Sequence, residues 1–280
     1  MKDWLILAKP RITVMVALCA AAGYALAPGS RDGARLAWTI LGVALAAAST
    51  GCLNQVLEAE LDGRMNRTRN RPVPAGRVSA GAAHFLGLLW GAVGLSLLAW
   101  KVNAAACGLT AFTLASYLLV YTPMKRFSPA STWVGAVPGA MPPVIGWVAA
   151  GAPLDARAGA LFAVQFLWQM PHFFALAWMH REDYARGGYR VLAVVEPDGA
   201  STGRQLVLTA ALLLAASLSP YALNMAGAPY LFGALAMGGA FLTIAIRASR
   251  RLTESSARGV FLASLAYLPL LLGLLVTGRR

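Results

Sequence analysis

The most constraining feature of this chain is a succession of nine apolar runs, near residues 11–28, 37–57, 80–100, 104–121, 131–150, 157–179, 205–223, 229–247 and 258–277. About twenty apolar residues coiled as an α-helix rise about 30 Å, the thickness of a bilayer's hydrocarbon core. Lipid offers no water to the backbone, so each run must satisfy its own N–H and C=O groups, and a helix does this within one segment. The expectation is an all-α, polytopic membrane protein of nine transmembrane helices, a single embedded domain over residues 1–280 with no soluble part left over. Composition agrees, since 12% of the residues are charged against about 25% in soluble domains. Very short connections after the third and seventh runs predict antiparallel hairpins of neighbouring helices.

The chain carries 24 Lys and Arg against 11 Asp and Glu, a formal net charge of +13. Such an excess suits nucleic acid when it covers one polar domain. Here the basic residues lie between apolar runs, so the partner they indicate is the lipid bilayer and not nucleic acid. Six of them (Arg31, Arg35, Lys101, Arg157, Arg279 and Arg280) fall on one side, and 24 − 6 = 18 fall on the side of the N-terminus. The positive-inside rule then places the N-terminus in the cytoplasm and the C-terminus outside. Lys9-Pro10-Arg11 interrupts the opening apolar segment, which argues for a retained first span and against a cleaved signal peptide. Cys19, Cys52 and Cys107 lie in apolar runs without metal-ligand spacing, as small packing residues would.

Nine of the eleven acids, all but Asp32 and Asp155, share the cytoplasmic side. The first dense cluster runs from Asn54 to Pro72. At 100° per residue Asn54, Glu58 and Asp62 fall within about 80° on one helix face, whereas Glu60 points about 120° from Asn54. Hard oxygen donors at a helix end suit Mg²⁺, which binds through one or two carboxylates plus substrate phosphate oxygens. Arg67, Arg69 and Arg71 follow at once, and guanidinium forks beside a carboxylate-held metal fit a diphosphate. A carboxylate inside a span costs roughly 2.5–3.5 kcal/mol, which argues against a mere topology anchor.

The second cluster places Gln165, Gln169 and His172 on a stripe of about 60°, with Asp183 returning to within about 20° of it. Pro171 is expected to kink this helix. A third segment, Tyr121 to Arg126, ends in the basic pair Lys125-Arg126. The run that follows holds Gly135, Pro138, Gly139, Pro142, Pro143 and Gly146 and is expected to be a distorted helix lining a cavity or contacting a ligand.

Together these segments resemble the intramembrane prenyltransferase superfamily, and within it the haem O synthase (protohaem IX farnesyltransferase) family. The resemblance rests on Lys9-Pro10-Arg11, Met65-Asn66-Arg67-Thr68-Arg69-Asn70-Arg71-Pro72, Tyr121-Thr122 through Lys125-Arg126, Gly139 through Trp147, and Trp168-Gln169-Met170-Pro171-His172. Quinone-type members carry Asp at both ends of the second motif, where this chain has His172 and Asp183, as in the haem branch. The resemblance implies nine helices around a central cavity, and Mg²⁺ and farnesyl diphosphate bound by two acidic motifs. It also implies transfer of the farnesyl group to a vinyl group of haem B with capture of water. A bacterial inner membrane follows as the location, with the active site facing the cytoplasm and a haem A synthase or oxidase-assembly factor as downstream partner.

The residues expected to act are Asn54, Glu58, Asp62 and Asp183 on the metal, and Arg67, Arg71, Lys125, Arg126 and Arg181 on the diphosphate. Arg67 also counts among the catalytic residues, and His172 would position a water or a haem propionate. Trp168, Phe173, Tyr117 and Tyr121 are candidates to stabilise an allylic cation through their ring faces. One departure is Glu58, where many members carry the first aspartate of the first motif. Two alternatives stay open: prenylation of an aromatic quinone precursor by the same metal-diphosphate chemistry, and a secondary transporter with broken helices and buried acids.

Overall fold

A computed structural model describes residues 2–29 and 31–279. Arg280, counted above among the outer-side charges, lies outside the described residues. Every long element is helical: α1 (Lys2–Leu7), α2 (Pro10–Leu26), α3 (Gly33–Leu57), α4 (Ala59–Arg64), α5 (Ala80–Lys101) and α6 (Ala104–Ala115) come first. A π-helical segment (Ser116–Tyr121) joins α6 to α7 (Thr122–Met124). After it come α8 (Ser131–Ala149), α9 (Ala156–Met179), α10 (Arg181–Arg186), α11 (Leu192–Val195), α12 (Ala200–Ala222), α13 (Ala228–Arg250) and α14 (Glu254–Thr277).

All nine apolar runs are helical. Among the described residues, seven helices are long and apolar enough to cross a membrane, the stretch Ala104–Met124 counting as one. The other two runs are α2, with 17 residues, and α8, whose 19 residues include three prolines. The chain is a multi-pass membrane protein. Its surface agrees, because Phe85, Trp100, Leu119 and Phe232 point outward where lipid would meet them, an arrangement water would penalise.

Packing proceeds from α2 to α3, α5, α6, α8, α9, α12, α13 and α14, and α14 returns to touch α2. The two hairpins form as expected. Asn103 caps α6 by accepting from the Ala106 N–H at 2.8 Å, and Asn224 takes a left-handed φ of 56° between α12 and α13. The start of α2 and the ends of α3, α7 and α9 meet on one face. On the opposite face Tyr24 donates to the Asp32 carbonyl, Asn103 to Val148 and Arg279 to Ala25.

The proline-rich run packs closely against its neighbours. It forms an unbroken helix, α8, buried along most of its length, and its small residues seat neighbouring backbones. A Cβ at Gly146 would fall 1.8 Å from the Ala20 carbonyl oxygen, and one at Gly23 would fall 1.9 Å from that of Pro143. The glycines thus let α2 and α8 touch backbone to backbone, the usual means of holding helices together in lipid. Likewise α9 runs continuously through Pro171. Gly146→Leu is expected to destabilise the solubilised protein by about 1–3 kcal/mol or more, read as a drop in thermal midpoint. An unchanged midpoint would show that the α2–α8 contact can open without cost.

Candidate active site

The site forms where four helix ends meet on one face of the bundle. α3 stops at Leu57 because Glu58 adopts φ −105° and ψ 6°, outside the helical region, and α4 starts again at Ala59. The i to i−4 bonds nevertheless continue across the break, from Glu58 N–H to Asn54 at 3.0 Å and from Asp62 N–H to Glu58 at 2.7 Å. Asn54, Glu58 and Asp62 therefore stay on one side, as the spacing predicted, and all three are buried. Glu60 points away, pairs with Arg64 and is mostly exposed.

A cavity of about 140 Å³ opens beside them, lined by residues that include Lys9, Arg67, Arg71, Tyr117, Tyr121, Lys125, Tyr184 and Tyr189. Sites that enclose a whole ligand run to roughly 300–1,000 Å³, so this one has the size of a substrate's charged head. Each carboxylate already faces a cation: Asp62 Oδ2 accepts from Arg71 at 2.6 Å, and Glu58 pairs with Lys125. Lys125 also lies over the rings of Tyr121 and Tyr189, at 4.8 and 5.5 Å. Arg67 stacks 5.6 Å from the Tyr184 ring centroid.

Lys9 lines this cavity although no site role was assigned to it from sequence. It precedes Pro10 at the start of α2 with φ 46° and ψ 61°, a left-handed conformation uncommon for a residue other than glycine. Strain of this kind persists where its surroundings enforce it and gathers at functional sites. Burial and the Arg71 guanidinium lower the Lys9 ammonium to about 8, against the opposing pull of Glu58. A basic residue directly before a helix-starting proline was the available signal. Tyr184 and Tyr189 were missed as well, the first lying next to Asp183 in sequence.

Other expected residues stand elsewhere. The carboxylate of Asp183 accepts from the backbone N–H groups of Asn66 at 3.0 Å and Arg67 at 3.1 Å and pairs with Arg186. It thus clamps the arginine-bearing loop to α10 and lines a neighbouring surface cleft with His180 and Arg181. Arg181 itself donates to the Trp178 carbonyl and covers that ring. Arg126 donates to the Leu57 carbonyl, capping the end of α3.

His172 sits between α9 and α14. Its Nδ1 is 2.8 Å from the Ser264 hydroxyl, and its ring packs against Trp168, Phe173 and Phe261. Of the four candidate aromatics, Tyr117 and Tyr121 reach the cavity, whereas Trp168 is tied to the Ser264 carbonyl. Gln169 donates to the Ala136 and Gln165 carbonyls.

Among the described residues no three of His, Cys, Asp and Glu gather closely enough to hold a metal alone. The donor set does fit Mg²⁺, which needs only one or two carboxylates when phosphate oxygens complete its shell. Glu58 and Asp62 supply two, and Asn54, which turns its amide nitrogen to Glu58, would add an amide oxygen with that amide reversed.

Residues 16–270 match the profile of the UbiA prenyltransferase family. The chain belongs to that family. Among its relatives is a protoheme IX farnesyltransferase of Solibacter usitatus (strain Ellin6076), 46% identical, with 100% of this chain and 99% of the relative covered. Another from Salinibacter ruber (strain DSM 13855 / M31) is 45% identical, with 98% and 97% covered.

The fold is shared with a structure of digeranylgeranylglyceryl phosphate synthase, at TM-score 0.82, 17% identity and coverage of 99% and 97%. It is also shared with a UbiA homolog from Archaeoglobus fulgidus bound to GPP and Mg²⁺, at TM-score 0.65, 13% identity and coverage of 98% and 99%. Membership in a prenyltransferase family sets the transporter alternative aside.

The Asp183 clamp has a pH signature. Burial pushes its carboxyl up, but Arg186 and the two loop amides outweigh burial and hold it below the usual carboxylate range. A depressed folded-state pKa contributes stability above the unfolded value of about 3.9, lost as pH falls through the folded value. Hydrogen exchange over residues 65–72, corrected for intrinsic rates, is expected to speed up as pH drops below about 4. Asp183→Asn should show fast exchange already at neutral pH. Equal protection in both proteins at pH 7 would refute the clamp.

Proposed function

We propose that the protein transfers a farnesyl group from farnesyl diphosphate to a vinyl group of haem B, with addition of water, giving haem O and diphosphate. The observation that carries the donor half is the pairing of Glu58 with Lys125 and of Asp62 with Arg71 around one polar cavity. The acceptor rests on the full-length likeness to protoheme IX farnesyltransferases.

Asn54, Glu58 and Asp62 would hold Mg²⁺, which when bound neutralises charge on the leaving diphosphate. Arg71 and Lys125 then turn from Asp62 and Glu58 toward phosphate oxygens, joined by Lys9 and by Arg67 from the clamped loop. Cations preorganised in a water-poor site stabilise charge as it develops, at little cost of reorganisation. Tyr117 and Tyr121 present ring faces beside these groups, where an allylic cation would form. The apolar bundle keeps premature water from it. Asp183 acts by fixing the loop that carries Arg67, and a metal contact of its own would require giving up those bonds. His172, with Trp168 and Phe261, contributes to the acceptor side, where a flat aromatic macrocycle would meet aromatic faces.

The working arrangement is a single embedded domain in a bacterial inner membrane, with its N-terminus and active site on the cytoplasmic side. A haem A synthase or an oxidase-assembly factor would accept the product. Membranes supplied with farnesyl diphosphate, haem B and Mg²⁺ are expected to yield haem O by mass. Asp62→Ala should lower turnover by at least about a hundredfold, and Glu60→Ala should leave it nearly unchanged. Absence of haem O while an aromatic quinone precursor is prenylated would overturn the haem assignment and leave the donor chemistry standing.

A further inference from the structure

Asn54, Glu58 and Thr122 form a hydrogen-bond chain buried among α3, α7 and the π-helical segment, each residue at most 4% exposed. The Asn54 Nδ2 donates to Glu58 Oε2 at 2.6 Å. Thr122 Oγ1 lies 3.0 Å from Asn54 Oδ1 and 2.9 Å from the Tyr117 carbonyl oxygen. A hydroxyl has one proton and two acceptor positions, so Thr122 can donate to only one of these oxygens at a time. The Tyr117 carbonyl is not left wanting when the hydroxyl turns away, because it also accepts from the Thr122 backbone N–H across the π-helical turn.

Two arrangements follow. In the one observed, Asn54 shows its nitrogen to Glu58 and its oxygen to the Thr122 hydroxyl. If the amide turns over, its nitrogen donates to Thr122 Oγ1, the hydroxyl donates to Tyr117, and its oxygen faces the Glu58 carboxylate. That second arrangement sets two acceptors against each other and is unfavourable alone. A divalent cation on Glu58 reverses the balance, since both oxygens become ligands.

We propose that Thr122 is a positioning residue whose hydroxyl, by exchanging donor for acceptor, lets the Asn54 amide present nitrogen to an empty Glu58 and oxygen to a cation-bound one. The inference rests on the metal site proposed above. Removing the hydroxyl penalises the cation-bound arrangement more. There the amide N–H group toward residue 122 is left without an acceptor, whereas the empty site only leaves a carbonyl oxygen short of a donor, which buried structures tolerate better.

The test is a titration of the purified full-length protein with Mn²⁺ in the presence of inorganic diphosphate, bound metal being read by electron paramagnetic resonance. Thr122→Val and Thr122→Ala are expected to weaken Mn²⁺ binding about tenfold, as losses of residues that orient metal ligands do. Thr122→Ser should bind like the wild type. In an Asn54→Ala background Thr122→Val should have no further effect, because it acts only through the amide.

Wild-type affinity in both Thr122→Val and Thr122→Ala would overturn the inference, and so would an equal loss in Thr122→Ser or a full effect of Thr122→Val without Asn54. A wild-type protein that binds no Mn²⁺ with diphosphate would instead overturn the metal site itself.

Discussion

The structure depends on one electrostatic constraint: two carboxylates, Glu58 and Asp62, are buried at the end of an apolar bundle and must be met by cations. Burying an unpaired charge is prohibitive, and even a buried pair gives up hydration that its mutual attraction only partly returns. The chain meets the requirement from separate elements. Lys125 comes from the end of α7, Arg71 from the loop after α4, and Lys9 from the strained residue before α2. The irregular backbone lies at the same place, with the break at Glu58, the π-helical turn before Thr122 and the left-handed Lys9. Non-helical backbone at a membrane boundary is tolerated where it lines a polar cavity, and here it aims side chains that straight helices would send elsewhere.

These pairs are poor devices for stability and good ones for anion binding. A site whose cations are already in place, Lys125 and Arg71 each resting on a carboxylate, can transfer them to phosphate oxygens with little movement. The carboxylates freed by that exchange are the hard oxygen donors that Mg²⁺ takes. In the proposed reaction one set of residues serves both purposes, which accounts for a cavity dimensioned for a head group. The remaining substrate surface is then left to the apolar helices.

Much of this was readable in the sequence, because lipid makes the reading simple. Apolar runs of helical length gave the long helices to within a few residues, seven of them among the described residues long and apolar enough to cross a membrane, and the four-residue spacing of Asn54, Glu58 and Asp62 gave their common face. That face survived the break at Glu58 because the i to i−4 bonds continue across it. What periodicity cannot convey is how helix ends meet. Asp183 returns to the stripe of His172 by angle, yet α9 stops at Met179 and α10 sets off anew. Its carboxylate consequently meets the loop amides of Asn66 and Arg67. Arg126 and Arg181 found nearby carbonyls for the same reason, and Lys9 was hidden because its placement depends on a backbone conformation that the sequence does not print. The prolines of α8 suggested distortion; they lie inside one helix whose glycines also let the neighbouring backbones approach closely.

The most direct test of this account is an experimental structure with Mg²⁺ and an unreactive thio-analogue of farnesyl diphosphate. The account predicts metal density about 2.1 Å from oxygens of Glu58 and Asp62, with Lys125 and Arg71 turned from those carboxylates onto phosphate oxygens. Diphosphate bound elsewhere, with the Glu58–Lys125 and Asp62–Arg71 pairs intact, would contradict it.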